Sequence, residues 1–218
     1  MRIIDCVQGT DAWRKARLGI PTASQFHRII TATGKPSAQA EAYLYELAAE
    51  YILQEPCNSV KTEWMARGTF IEEEARRYYE LQRDVNVEQV GFVTTDDGLI
   101  GCSPDGLIGD DGGVEIKVPS AARHIAYLLS SPADDYKFQV QGSLYVTGRA
   151  WWDIVSYNPA MPSTIVRCER DEGFIKLLDK RMQEFTERLT DCIVKLKDMG
   201  INQVKEEIDE ELEALFPD

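Results

Sequence analysis

The spacing of apolar residues alternates between helical and strand periods along this 218-residue chain, and that alternation limits its fold more than any other feature. In the first third, apolar residues recur at three- and four-residue intervals, which predicts helices over about 23–32, 37–54 and 62–81. Between residues 88 and 119 the period becomes two, which predicts three antiparallel strands separated by the turns DDG and DDGG. Helices that bracket a largely antiparallel sheet indicate an α/β (α+β) protein.

The second half of the chain resumes helical spacing and then gives two more strands. We predict helices over about 120–130 and 134–147, strands in the segments RAWWDIVSYN and STIVRCER, and a long helix over about 172–199. The apolar stripe of the long helix favours packing on the sheet, with a coiled coil as the alternative.

No internal repeat, low-complexity tract or linker divides the sequence, so we predict a single domain over residues 1–218. Its last segment places apolar residues four apart among acidic ones, which predicts an acidic amphipathic helix at about 201–216. Such a helix either lies in solvent or docks a partner, and the sequence leaves both open.

Composition narrows the classes of function. No stretch approaches the roughly 20 apolar residues of a membrane span. The N-terminus lacks the pattern of a signal peptide, so we expect a cytoplasmic protein with no membrane partner. The five scattered cysteines indicate reduced thiols. Only two histidines are present, which excludes a zinc site built on several imidazoles; any metal must be held by oxygen, which suits Mg²⁺ or Mn²⁺.

The net charge of −13 argues against a protein that coats nucleic acid by general attraction. The charge is uneven, however, because the last 14 residues carry seven acids and one lysine whereas the segment WRKARLG is basic. The local field, rather than the total charge, therefore decides what binds at a site.

The segment SPDGLIGDDGGVEIKVP, residues 103–119, concentrates the candidate chemistry. In a hairpin centred near Asp110, paired residue numbers sum to about 220, so Asp105 faces Glu115. Side chains alternate along a strand, which places Lys117 on the same face as Glu115 and turns Ile116 to the other face. Two facing carboxylates repel each other unless a cation lies between them, and a hard divalent ion accepts their oxygens.

A hairpin of this kind on its own usually decorates a surface, so two further features support the interpretation. Glu72 lies on the apolar stripe of the third helix, where a glutamate must be paired, hydrogen-bonded or bound to metal. A salt bridge to an arginine is the alternative. Gln141 and Tyr145 stand four apart on a later helix. Together with the hairpin, these parts in this order are typical of a metal-dependent nuclease site.

In that interpretation, Asp105 and Glu115 hold Mg²⁺ with the carbonyl oxygen of Ile116 as a further ligand, and Glu72 holds a second ion directly or through water. Two ions about 4 Å apart stabilise the attacking and leaving oxygens of a displacement at phosphorus. Lys117 orients and activates the attacking water and offsets the charge of the transition state.

Six segments follow the order and spacing of one known family: DAWRKARLGIPTAS, RGTFIEEEAR, CSPDGL, VEIKVP, QVQGSLYV and YNPAM. They extend over nearly the whole chain, which resembles the lambda-type phage exonucleases of the restriction-endonuclease-like nuclease superfamily. The resemblance implies a restriction-endonuclease-like core with a central mixed, mostly antiparallel sheet flanked by helices. It also implies a processive 5′→3′ exonuclease on double-stranded DNA, dependent on Mg²⁺, that leaves 3′ single-stranded overhangs for recombination by strand annealing.

The same resemblance implies partners and residue roles. A ring-shaped homotrimer encloses the DNA, a single-strand annealing protein acts with it, and the gene belongs to a phage or prophage in a bacterial host. By position, Asp105, Glu115 and Lys117 take the catalytic roles, and Glu72 is the helical glutamate of the family.

A further set of residues is implied to contact the 5′-phosphate or DNA: Arg17, Ser24, Ser103, Lys35, Met65 and Gln141. Ser24 lies in the first turn of the predicted capped helix, whose N–H groups suit an anion, and Arg17 adds a bidentate fork. Met65 falls where the family has an apolar wedge that splits the terminal base pair, and Gln141 is expected to hydrogen-bond near the site. The alternatives are a surface ion pair for Arg17 and helix-core packing for Met65. Tyr145 is expected to be structural.

A closed ring reconciles a net acidic protein with DNA, because enclosure does not require strong general attraction. We expect a locally basic channel formed by Arg14, Lys15, Arg17, Lys35 and Arg123.

Three other functions remain open from the sequence. A related nuclease of different polarity is one, although an iron–sulfur variant would need clustered cysteines. A non-catalytic DNA-binding or assembly module of the same fold is another, against which the intact Asp105, Glu115 and Lys117 argue. The third is a Mg²⁺-dependent phosphatase acting on small molecules.

Overall fold

The computed structural model describes residues 1–57 and 63–204, and for residues 63–70 it describes the backbone only. Residues 205–218, which include most of the C-terminal helix predicted at about 201–216, lie outside the described part, and residues 201–203 have no regular structure. In chain order the elements are β1 (Arg2–Ile4), α1 (Asp11–Ala16), a 3₁₀ helix (Ala23–Arg28), α2 (Ala40–Leu53), α3 (Glu63–Arg83), β2 (Phe92–Thr94), β3 (Gly101–Cys102), β4 (Gly106–Ile108), β5 (Gly112–Lys117), α4 (Ala121–Leu129), α5 (Ala133–Thr147), β6 (Trp151–Asn158), β7 (Met161–Glu169) and α6 (Glu172–Asp198).

The strands form two sheets. Strands β1, β2 and β3 pair antiparallel in that order, and the second sheet has the order β4-β5-β6-β7. Within the second sheet the outer pairs are antiparallel and the central pair β5–β6 is parallel. The predicted α+β architecture with a mixed, mostly antiparallel sheet is therefore confirmed.

The segment LIGCSPDGLIG, predicted as one strand, is divided between the two sheets. Its first part forms β3 and pairs with β2, and its second part forms β4 and pairs with β5. Pro104 lies between them and has no N–H to donate to a ladder, so the pairing is interrupted there. This division leaves Ser103 and Asp105 at the junction of the two sheets.

Helices α4 and α5 connect the parallel strands β5 and β6, a crossover that parallel pairing requires. Apolar side chains pack on both faces of the sheet. One cluster joins Trp152 and Ile154 to α2, α5 and α6, and the other joins Val155 to Tyr79 of α3. Strand β5 is consequently buried on both faces, and only Lys117 at its end is partly exposed.

The first predicted helix differs from the structure. It was expected over about 23–32 with a side-chain cap, but it is a 3₁₀ helix of six residues in which Thr22 makes no side-chain capping bond. A turn this short offers fewer aligned N–H groups than the α-helix that the sequence indicated.

The apolar stripe of α6 packs on other helices. Phe185 stacks on Tyr43 of α2, and Phe174 meets Phe138 of α5 edge-on, each pair with ring centroids 5.8 Å apart. These contacts bury the stripe within the single chain, so α6 does not need a coiled-coil partner. Neither α6 nor another helix in the described part of the chain is long and apolar enough to cross a membrane.

Candidate active site

The β4–β5 hairpin brings the two predicted carboxylates together. Its register pairs Gly106 with Val114, which continues to Asp105 opposite Glu115, as the sequence predicted. The Oδ2 atom of Asp105 accepts a 2.6 Å hydrogen bond from the backbone N–H of Ile116. This bond fixes the Asp105 carboxylate beside the strand that carries Glu115.

Lys117 completes the cluster. Its Nζ lies 2.6 Å from Glu115 Oε1, because both side chains share one face of β5 while Ile116 packs in the core on the other face. Glu115 is only 3% exposed, and its second oxygen, Oε2, has no hydrogen-bond partner among the described residues. A buried carboxylate oxygen without a partner is costly, so this atom is the strongest indication that the site takes a cation.

The cluster has two carboxyl groups, Asp105 and Glu115, and only one ammonium, Lys117. Burial, and then the charge of Glu115, raise the pKa of Asp105 well above its usual value. Desolvation lowers the pKa of Lys117, but the carboxylates of Glu115 and Asp105 outweigh it, so the pKa is raised overall. One ammonium therefore faces two carboxylates, and a divalent cation would remove the repulsion that remains.

Glu72 lines the same cleft as Asp105 and Ile116, a cavity of about 460 Å³. The prediction that Glu72 is buried on an apolar stripe is wrong, because its side chain is exposed. Ala75 and Tyr79 on this stripe are buried in the core. Glu72, one turn earlier on α3, lies beyond the core and borders the cleft. Partial desolvation there raises the pKa of Glu72, with Lys117 lowering it and Glu115 raising it by smaller amounts.

The donors of this site fit a hard divalent cation. Asp105 and Glu115 offer carboxylate oxygens, and Ile116, the residue after Glu115 on β5, offers a backbone carbonyl. Across the described residues, no three His, Cys, Asp or Glu side chains come close enough to enclose a metal ion, so Glu72 does not join the pair. Two carboxylates with open positions suit Mg²⁺, which keeps several waters and takes phosphate oxygens from a substrate.

Gln139 on α5 belongs to the cluster, although the sequence analysis did not select it. Its Nε2 donates a 2.5 Å hydrogen bond to Glu115 Oε1, and its Oε1 accepts one of 3.3 Å from Lys117 Nζ. One amide thus bonds to both members of the ion pair with the correct polarity.

Gln141, which the sequence analysis placed near the site, lies elsewhere. Its Nε2 donates to the carbonyl of Glu169 at 2.8 Å, and its Oε1 accepts from the N–H of Asp171 at 3.0 Å. Residues two apart on a helix point about 200° apart, so Gln139 and Gln141 face opposite sides of α5. Tyr145 donates to Asp179 of α6 at 2.8 Å, which is consistent with its expected structural role.

A second polar cluster surrounds Ser103, two residues before Asp105. Arg17 Nη1 and Trp13 Nε1 both donate to Ser103 Oγ, at 2.6 and 2.9 Å. The guanidinium lies 4.4 Å from the centroid of the Trp13 ring and 5.8 Å from that of Phe92. Burial lowers the pKa of Arg17, and its hydrogen bond goes to a neutral hydroxyl. The alternative of a surface ion pair for Arg17 does not fit these contacts.

The remaining predicted DNA contacts lie outside these two clusters. Ser24 is exposed on the 3₁₀ helix, with its hydroxyl 3.5 Å from Thr22 Oγ1. Lys35 is exposed in a loop whose Gly34 packs against Leu177 of α6. The side chain of Met65 is outside the described residues.

Two of the basic residues expected to line a channel are ion-paired within the chain. Arg14 lies 2.5 Å from Asp11, and Arg123 lies 2.5 Å from Asp135. Lys15 is exposed.

Arg149 hydrogen-bonds to the backbone of the β4–β5 hairpin, and no pattern in the sequence predicted this role. Its Nη1 donates to the carbonyls of Ile108, Gly109 and Gly112 at 3.2, 2.8 and 2.7 Å. Because these carbonyls lie in and beside the turn, this side chain helps to set the register that places Asp105 opposite Glu115.

Comparison with known proteins identifies the family. Residues 12–150, more than half of the chain, match the model described as the YqaJ-like viral recombinase domain. The chain belongs to this family. The resemblance of this YqaJ-like domain to lambda-type exonucleases is thereby confirmed. No curated protein matches its sequence significantly.

Solved structures agree with this assignment. The alkaline exonuclease LHK-Exo from Laribacter hongkongensis is 32% identical, with a TM-score of 0.77 over 88% of this chain and 98% of that one. LHK-Exo in complex with dAMP gives 0.78 at the same identity and coverage. A phage-related exonuclease from Haemophilus somnus, 16% identical over 81% of this chain and 96% of its own, shares the fold with a TM-score of 0.63. The YqaJ-like domain is thus a nuclease of the alkaline-exonuclease type with a restriction-endonuclease-like fold.

Proposed function

We propose that this YqaJ-like nuclease is a Mg²⁺-dependent, processive 5′→3′ exonuclease on double-stranded DNA. It leaves 3′ single-stranded overhangs for phage-type recombination by strand annealing. The observation that carries the proposal is the buried Oε2 of Glu115, which has no hydrogen-bond partner in the described structure and lies beside Asp105 and Lys117.

Asp105, Glu115 and the carbonyl of Ile116 would hold the ion, and Mn²⁺ could replace Mg²⁺. When bound, the ion polarises a phosphate oxygen and makes a coordinated water more acidic. Glu72, exposed in the same cleft, would hold a second ion directly or through water.

In the metal-free protein, the carboxylates of Glu115 and Asp105 raise the pKa of Lys117, which favours its ammonium form. Its ammonium orients the attacking water and offsets the negative charge that builds on the phosphate oxygens. Gln139 keeps Lys117 and Glu115 in fixed positions through one hydrogen bond to each. The amide thereby pre-organises the site before DNA binds.

Arg17, Ser103 and Ser24 would hold the 5′-phosphate. A guanidinium that is partly desolvated and bonded to a neutral hydroxyl gains from an anionic ligand. Because Ser103 precedes Asp105 by two residues, a phosphate held there lies near the hydrolytic cluster. A grip on the terminal phosphate accounts for the 5′→3′ polarity and for travel in one direction. Met65 would split the terminal base pair.

The protein would act as a ring-shaped homotrimer with a single-strand annealing protein, in the cytoplasm of a bacterial host that carries the phage or prophage. Enclosure in a ring retains DNA on a chain with a net charge of −13, provided that the channel is locally basic. Lys35, Lys15 and Arg123 are candidates for that channel, and Arg123 would exchange Asp135 for a phosphate.

End-labelled duplexes test this function directly. We expect rapid release of 5′ nucleotides from 5′-phosphorylated linear DNA with Mg²⁺, slower release from 5′-hydroxyl ends, and none from closed circles or in the presence of EDTA. Release from the 3′ end would indicate a nuclease of different polarity. Binding without cleavage would indicate a non-catalytic module, and loss of terminal phosphate alone would indicate a phosphatase.

A further inference from the structure

The ammonium of Lys117 lies against an aromatic ring, that of Tyr136. Its Nζ lies 4.7 Å from the centroid of the Tyr136 ring. Tyr136 is on α5, one turn before Gln139, so both side chains approach Lys117 from the same helix. Lys117 is therefore bordered by Glu115, the Gln139 amide and a ring.

A ring suits this place for an electrostatic reason. The face of an aromatic ring attracts a cation through its quadrupole, most strongly where water is partly excluded. The Lys117 side chain is only 22% exposed. A further carboxylate would also attract the ammonium, but it would add negative charge to a site that already holds Asp105 and Glu115.

The Tyr136 ring is itself held in place from α4. Tyr127 meets it edge-on with ring centroids 6.1 Å apart, and the two hydroxyl oxygens are 3.4 Å apart. Tyr127 donates to Asp135 at 2.8 Å and accepts from Arg123 at 2.9 Å. Burial raises the pKa of Tyr127 to about 12, and its hydroxyl is the donor in the bond to Asp135.

We propose that Tyr136 is a positioning residue that holds the ammonium of Lys117 against Glu115 for hydrolysis. The inference rests on the function proposed above, in which Lys117 orients the attacking water. A lysine has a long flexible side chain, and the ring reduces the positions open to it. The contribution of Tyr136 should therefore be seen in the turnover rate rather than in DNA affinity.

Three variants test this role on 5′-phosphorylated linear duplex at saturating Mg²⁺. Tyr136→Leu removes the ring face and should lower kcat about three- to thirtyfold with KM for DNA unchanged. Tyr136→Phe keeps the ring and should restore kcat to within about twofold of the wild type. Tyr145→Leu is the matched control, a tyrosine on the same helix that bonds to Asp179 instead; it should leave kcat unchanged.

Equal losses of kcat in Tyr136→Leu and Tyr145→Leu would overturn the inference, because they would show a general effect on α5. So would a Tyr136→Phe variant as slow as Tyr136→Leu, or a loss confined to KM. If Tyr136→Leu does not fold, Tyr136→Gln carries the same prediction without a ring face. Lys117→Ala separates the two proposals: full activity in that variant contradicts the function itself, whereas its inactivity beside a fully active Tyr136→Leu contradicts only the role of Tyr136.

Discussion

Gln139 Nε2 and Lys117 Nζ meet at a single oxygen, Oε1 of Glu115, at 2.5 and 2.6 Å. The other oxygen of that carboxylate is consequently left for a different ligand. The amide donor and the ammonium thus fix the orientation of the Glu115 carboxylate and leave Oε2 for the proposed cation.

Removing the Gln139 amide should lower activity while preserving the fold. Gln139→Ala deletes one hydrogen bond to Glu115 and one to Lys117, and we expect kcat to fall about tenfold to a hundredfold, the range for bonds to charged groups. Gln141→Ala is the matched control. It should leave kcat unchanged but reduce the free energy of unfolding by about 0.5–1.5 kcal/mol, because the partly buried carbonyl of Glu169 and N–H of Asp171 lose their partner. Single-turnover cleavage and thermal melts measure the two effects, and a reversed pattern would restore Gln141 to the site.

Replacing Asp105 should stabilise the metal-free protein. The folded-state pKa of Asp105 is raised above the unfolded value of about 3.9, so its favourable contribution is full below about pH 4 and is lost as the pH rises through the folded-state pKa. At pH 7–8 in EDTA, Asp105→Asn removes the opposed like charges and should raise Tm by about 0.5–4 °C, from roughly 0.2–1 kcal/mol.

The increase in Tm of the Asp105→Asn variant should become smaller as the pH falls towards 4. Mg²⁺ should raise the Tm of the wild type more than that of this variant. Asp110→Asn, in the exposed turn of the same hairpin, should show neither effect. A Tm that falls in Asp105→Asn at neutral pH would contradict the proposed repulsion.

Arg17 should control the choice of DNA end. Arg17→Ala removes the guanidinium beside Ser103, and we expect the rate ratio for 5′-phosphorylated over 5′-hydroxyl ends to fall about tenfold or more, since a bidentate phosphate contact is lost. Arg77→Ala removes an exposed arginine that pairs with Glu73 and controls for the loss of one positive charge. An unchanged ratio in Arg17→Ala would remove Arg17 from the proposed grip.

Arg149 should matter for stability rather than for binding. Arg149→Met leaves three carbonyls of the β4–β5 hairpin without this donor, and we expect a loss of about 2–4 kcal/mol and a decrease in Tm of about 5–15 °C. Arg170→Met, which removes a donor to one carbonyl on α5, should cost less. Circular dichroism melts of the two variants in EDTA compare these losses without interference from metal binding.

The β4–β5 hairpin was predictable because the residues that determine its pairing are close together in the sequence. Strand alternation and the glycine turn fix which residues face each other, and the register agrees with the pairing of Gly106 and Val114. The parallel pairing of β5 and β6 was not predicted, since it depends on residues separated by two helices.

Whether Gln139 or Gln141 faces the site depends on how α5 is rotated about its axis. Because residues two apart point to opposite sides of a helix, an error of two positions selects the wrong glutamine. The sequence did contain evidence for the correct choice. Val140, Leu144 and Thr147 mark the buried face of α5, and Gln141, three residues before Leu144, lies on that face. Glu72 was misjudged for another reason, because an apolar stripe does not show where the helix leaves the core. Arg149 had no local signal, since its carbonyl partners are about 40 residues earlier in the sequence.

The interruption at Pro104 has a consequence for how the two polar clusters are arranged along the chain. The groups around the ammonium come from one continuous stretch after that proline, whereas the arginine and the aromatic rings near Ser103 come from before it. In the proposed function, the groups around the ammonium and the grip on a strand terminus are therefore encoded in neighbouring but separate portions of the gene. In that function, substitutions around Arg17 should alter which termini are accepted and leave the groups around the ammonium in place.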